Sequence, residues 1–276
     1  MSSKKACTVL FILFFSIHSY GQKLVEVWRT GPTMKTPESV YYEPDRNVIF
    51  VANINDKPSE KDGNGFITQL EADGSVKTMN WVTGLNAPKG MAVFNGKLYV
   101  SDIDELVEID IDKAKIINRY PAPGAIFLND VAACSNGTIF VSDSQTNKIH
   151  ALKDGQFTVW KEDSQLKGIN GLFTDHEKLY IGSEKIQEAD VKTKDLKDIQ
   201  DGCQGIDGLA KDKLGNFVFS NWAGRIFYLE DGKMTKMWDS TEKKISTADI
   251  FFATDLNLLL VPTFFDNQVV AYRIEK

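Results

Sequence analysis

The chain has 276 residues, 42% hydrophobic and 25% charged, the balance of a globular protein with room for one large domain or two small ones. Its formal net charge is -6 with no Lys/Arg run, which excludes a nucleic-acid backbone as the main partner. Its 3 cysteines form no CxxC, which leaves a thiolate zinc site without support.

Residues 1–21 read as a signal peptide. Lys4 and Lys5 precede an apolar run from Ala6 to Ile17, and Ser19-Tyr20-Gly21 supplies the small residues a signal peptidase reads, with cleavage before Gln22. The run is short for a membrane span, so the expectation is an exported protein, periplasmic or secreted, with no stable membrane insertion after cleavage. The alternative is an uncleaved N-terminal anchor. Two cysteines then remain, Cys134 and Cys203, expected as free, mostly buried thiols in non-neighbouring repeats.

Residues 22–276 read as one domain of six similar units. The clearest copy is 206–229, IDGLAKDKLGNFVFSNWAGRIFYL: three short strands joined by tight turns, a meander that cannot bury its apolar face alone. Aligned on it, units begin at Glu38, Lys89, Asn129, Asn170, Asp207 and the Ala248-Asp249 pair. A period of about 40 residues with four short strands marks a six-bladed β-propeller, all-β, with minimal helix. The segments 97–101 (KLYVS) and 138–142 (TIFVS) have the β-branched and aromatic composition of strands. The last unit has only three strands before the chain ends, and 23–30 (KLVEVWRT) belongs to no other unit. It is expected to pair on the outside of the last blade and close the ring, removing an open edge. Residues 53–65 (NINDKPSEKDGNG) lengthen the first unit between its second and third strands. They read either as a solvated loop or as a partial lid on the face that carries the six anchors.

Each anchor begins a first strand, which lines the central channel. Glu38, Asn129, Asn170 and Asp207 put four oxygen donors at one mouth, the donor set of a hard divalent cation, Ca²⁺ above all. Taken singly, Asn or Asp before Gly also reads as turn chemistry. Lys89 stands at the fifth position, where it either pairs with Glu38 and displaces a metal, or turns outward to solvent or toward an anionic substrate. A second ring from the ends of second strands would form the pocket wall: Asp102, Asp143, Ser144, Glu184, Asn221, Trp222, Phe264 and Phe265. The aromatic members face substrate or pack between blades.

The motifs Pro37-Glu38, Leu128-Asn129-Asp130, Ile169-Asn170-Gly171 and Ile206-Asp207-Gly208, the last followed by Gly215-Asn216 and Asn221-Trp222, resemble the gluconolactonase, regucalcin (senescence-marker-protein) and diisopropylfluorophosphatase group of six-bladed propellers. The resemblance spans 22–276. It implies a calcium ion at the channel mouth held by Glu38, Asn129, Asn170 and Asp207, and hydrolysis of a lactone or organophosphate, with Asp207 and Asn129 as the catalytic positions and Asp130 supporting them. In some members the residue matching Asn129 contacts substrate instead. Phe127 departs from the pattern: sugar-lactonase members carry Arg there, which speaks against an aldonolactone. His150 and His176 lie away from the anchors, so a paraoxonase-like histidine mechanism has no support. The reading is a calcium-dependent hydrolase of a small lactone or ester, with Lys89, Phe127, Asp130, Asn221, Trp222 and Phe264 in its substrate pocket. The alternatives are a non-catalytic propeller that binds a ligand or protein around a structural metal, and a metal-free scaffold.

Overall fold

The computed structural model describes residues 21–275, so the expected leader lies outside the described residues apart from its last one. It holds six sheets of four antiparallel strands each, a six-bladed β-propeller. Helix is confined, among the described residues, to three single 3-10 turns. None is long and apolar enough to cross a membrane.

The first strands of the blades are Pro37–Glu43, Pro88–Phe94, Leu128–Ala133, Leu172–Asp175, Leu209–Lys211 and Phe251–Ala253. Within a blade the outermost strand is the least buried. In blade one the second strand, Val48–Asn53, is wholly buried, whereas the fourth, Val76–Leu85, alternates toward solvent. The amino acids follow that difference: VIFVAN inside, VKTMNWVTGL outside.

The core has no single centre. Six apolar clusters occupy the six seams between neighbouring blades. Phe50 and Ile67 of blade one, for example, share a cluster with Leu98 and Val107 of blade two. Residues of blades six and one share another, around Ile49, Leu70, Leu260 and Val269. Every blade therefore depends on both neighbours, and one fully buried ring such as Phe50 is worth about 3–5 kcal/mol against alanine.

The ring closes as expected. Lys23–Arg29 pairs antiparallel with Val269–Glu275 as the outermost strand of blade six, from Lys23 opposite Glu275 to Arg29 opposite Val270. Near the axis, the first strands of blades six and one are tied by Asp249 N–H to Glu38 O at 2.9 Å and by the Ser39 hydroxyl to Asp249 Oδ2 at 2.9 Å.

Candidate functional site

The glycines after the anchors have a spatial cause rather than a turn cause. Gly171 and Gly208 do not adopt positive φ. A Cβ on Gly208 would lie 2.2 Å from Ile250 N, and one on Gly171 would lie 2.7 Å from Asp207 O. Glycine lets the next blade's first strand approach the axis at that level. The turn explanation for Asn170-Gly171 and Asp207-Gly208 is thereby replaced, and the anchors are left to point into the channel mouth.

Five of the six anchors meet there. Glu38, Lys89, Asn129, Asn170 and Asp207 line one cavity of about 620 Å³, together with Phe127, Ser144, Trp222, Phe264 and Phe265. Ala248, the sixth, is buried in a small apolar cluster with Phe264, Ile54, Ala87 and Ile103. Asn170 Nδ2 donates to Asp207 Oδ1 at 2.5 Å. The other Asp207 oxygen, Oδ2, and Glu38 Oε2 are buried with no hydrogen-bond partner, and the Ser144 hydroxyl is in the same condition. A buried carboxylate oxygen without a partner is costly. Two on one cavity suit a cation or a proton.

Electrostatics express the same cost. Burial pushes the Glu38 carboxyl well above the usual range, and the charges of Asp207 and Asp249 add to it. Burial raises Asp207 to about 7, against the opposing Asn170 hydrogen bond. Among the described residues no three His, Cys, Asp or Glu side chains come together as a metal site. The donor set here is two carboxylates and two carboxamides, oxygen chemistry that fits Ca²⁺ and leaves room for water or substrate.

Lys89 neither pairs with Glu38 nor reaches solvent, being 1% exposed, and it lines the cavity. Its Nζ donates to Pro58 O at 2.9 Å and Ala87 O at 3.0 Å and sits 4.4 Å from the centre of the Phe127 ring. Burial lowers its pKa to about 8, with Glu38 and then Asp102 pulling the other way. Pro58 belongs to the 53–65 insertion, whose Asp56 and Pro58 line the cavity and whose Lys61 pairs with Asp104 of blade two at 2.6 Å. The insertion therefore lies over the mouth as a strap, not as a free loop.

The second ring divides. Ser144, Trp222, Phe264 and Phe265 line the cavity; Asp102, Asp143, Glu184 and Asn221 do not. Asp102 accepts the N–H groups of Asn86 at 2.8 Å and Ala87 at 2.7 Å. Asp143 accepts those of Ile126 and Phe127, each at 3.1 Å. Asn221 Nδ2 donates to Gln204 O at 2.9 Å. All three face back toward the loop entering their own blade, which takes Asn221 out of the pocket. Beside them Ser101 donates to Asn129 O and Ser220 to Ala248 O at 2.7 Å, each holding the next blade's anchor. Sequence reasoning missed this scaffold, although its signal is the recurring Ser-Asp or Ser-Asn pair at 101–102, 142–143 and 220–221. Asp130 also leaves the pocket. Its carboxylate accepts the N–H groups of Val131 at 2.6 Å and of Leu172, deeper in the channel beside Asp249. Burial raises it to about 8. Asp130 and Asp249 line a smaller cavity of about 330 Å³ at the other end of the channel. Cys134 and Cys203 are free and buried, as expected.

Comparison with known proteins adds the fold. No protein-family model matches the chain, and no curated protein does either. Among solved structures, it is similar to virginiamycin B lyase from Staphylococcus aureus, with 13% identity over 92% of this chain and 99% of that one and a TM-score of 0.65. A streptogramin B lyase structure has 13% identity, covering 92% and 98%, with a TM-score of 0.61. A chain of a nidogen/laminin complex has 17% identity, covering 91% and 89%, with a TM-score of 0.59. At these identities the likeness shows the architecture alone: the chain is a six-bladed β-propeller.

Proposed function

We propose that the protein is a calcium-dependent hydrolase of a small lactone or ester, of the gluconolactonase type, acting outside the cytoplasm after loss of residues 1–21. One observation carries the reading. Glu38 Oε2 and Asp207 Oδ2, from blades one and five, are both buried, both unpartnered and both on the cavity where Asn129 and Asn170 also stand. The nearby ammonium of Lys89 bonds to two carbonyl oxygens instead of to them.

Glu38, Asn129, Asn170 and Asp207 would hold the ion, which when bound supplies a Lewis acid beside the scissile group. Asn170 fixes the orientation of Asp207 through its hydrogen bond. Asp207 orients the attacking water, and Asn129, whose side chain takes no part in the hydrogen bonds described here, orients the substrate oxygen. Water adds to the acyl carbon, the acyl–oxygen bond breaks, and the leaving oxygen takes a proton. Trp222, Phe264 and Phe265 on one side and Pro58 of the strap on the other bound the mouth of the cavity.

Turnover of a lactone and ester panel, lost on chelation and restored by Ca²⁺, is the test; activity that persists in both chelator and Asp207→Ala ends the proposal. A second reading, a non-catalytic propeller that binds a small ligand around a structural ion, is favoured by Lys89, a cation at the blade-two anchor, and by Phe127, which stands where sugar-lactonase members carry Arg. It predicts a higher melting temperature with Ca²⁺ and no hydrolysis across the same panel.

A further inference from the structure

The walls of the cavity differ from its floor. On the blade-two side, Lys89 offers three N–H bonds and spends two of them, both on neutral carbonyl oxygens, Ala87 O and Pro58 O. Glu38 and Asp102 act on it only at longer range. The third N–H is left for an acceptor in the cavity that Lys89 lines, and an anionic oxygen makes a charge-assisted bond with it. Across the ring, on blades five and six, stand three aromatic rings. Trp222 and Phe265 are 49% and 61% exposed, while Phe264 is 6% exposed. Their centroids are 4.7 to 5.9 Å apart and their planes nearly perpendicular. Phe264 holds a φ of 47°, a left-handed conformation that a bulky side chain seldom adopts, and it turns the ring into the cavity mouth. Two large aromatics left in solvent at a cavity rim, braced by a strained third, form a platform for a flat apolar group.

We propose that the cavity binds a planar apolar anion, an aromatic carboxylate in its simplest form, with an anionic oxygen on Lys89 and its ring on Trp222 and Phe265. As a statement of substrate class this rests on the hydrolase reading above; as a statement of binding it does not. A divalent cation on that floor places positive charge on the cavity wall facing the anion's oxygen. Anion and calcium therefore bind cooperatively, each raising the other's affinity by the same factor.

The test is binding of naphthoate, which cannot be hydrolysed, to the full chain, followed by calorimetry or by tryptophan fluorescence. Its neutral isostere naphthamide and the non-aromatic anion acetate are the controls. With Ca²⁺ present, naphthoate should bind about tenfold or more tightly than naphthamide, and acetate far more weakly than either. Lys89→Met should remove the preference for the anion, and Trp222→Ala should weaken both aromatic ligands about fivefold. Chelation should lower naphthoate affinity and leave naphthamide unchanged. Equal affinity for naphthoate and naphthamide, or acetate binding as well as naphthoate, overturns the proposal. Both comparisons are made on the unaltered protein and so hold even if Lys89→Met fails to fold. Naphthoate affinity indifferent to calcium overturns the linkage. Hydrolysis of neutral aliphatic lactones without naphthoate binding overturns this inference and leaves the hydrolase standing; naphthoate binding without hydrolysis of any ester does the reverse.

Discussion

Two sets of buried acids stand at the same end of this propeller, and their surroundings are opposite. Asp102 and Asp143, at the ends of second strands, are completely buried, yet each carboxylate takes two or more backbone N–H groups, and their charge is fully answered. Glu38 and Asp207, at the starts of first strands, are as deeply placed, and each leaves an oxygen with nothing to bond. The first set holds loops in place. The second is held in place, at a cost, for something the chain does not itself provide. Burial alone does not distinguish a structural acid from a functional one; what distinguishes them is whether the backbone has already satisfied it.

The largest expected effect breaks the second set. Asp207→Ala should lower turnover by about 100-fold or more in steady-state assays on the hydrolysed substrate, and should remove the melting shift given by Ca²⁺. Breaking the first set should act on stability instead. Asp143→Ala strands the Ile126 and Phe127 N–H groups and should cost about 3 kcal/mol in denaturant unfolding. If its loss left stability untouched, the division drawn here would fail.

A pH series sharpens the contrast. In chelator, Asp207 and Asp130 keep their protons in the folded protein up to about 7 and about 8, whereas the unfolded chain releases them near pH 4. The folded state then binds more protons between those values, so the stability they confer is complete below about pH 4 and lost as pH rises through about 7 to 8. The melting temperature in chelator should fall across that window, and Ca²⁺ should stabilise more at the alkaline end than at the acid end. The smallest effect is a gain. Glu38→Gln puts a neutral amide where a buried carboxyl is costly to ionise and should stabilise the chelated protein by about 1 kcal/mol, while abolishing its response to Ca²⁺. Destabilisation in chelator would show that Glu38 is answered by something other than an ion.

The six-fold architecture was legible because it is written six times. The anchors, the four short strands per unit and the ring-closing role of 23–30 all follow from one period. So was the meeting of Glu38, Lys89, Asn129, Asn170 and Asp207, since equivalent positions in a ring must converge. What was not legible depends on contacts between copies or with unique segments. Lys89 is buried because a carbonyl from the insertion and a ring from blade three surround it, and neither is visible from its own unit. Asp102 and Asp143 looked like pocket residues because a carboxylate reads the same whether or not an N–H 15 to 17 residues upstream reaches it. Asn221 was misread because its amide donates to a carbonyl upstream, Gln204 O, which its own unit does not show. Phe264 was placed in the pocket from the sequence and lines it, but the left-handed backbone that turns it there is not advertised by its residue type.

The closure of blade six has a consequence for how the molecule comes into being. Its outermost strand is made among the first residues of the domain and its partner among the last, with Lys23 opposite Glu275. During synthesis the early strand has no sheet to join, and the growing ring remains an open crescent with an unpaired edge at each end. The cavity at the axis acquires its full set of walls only when blade six packs between blades five and one. The site is therefore fully walled only once blade six has been made and has packed between its two neighbours.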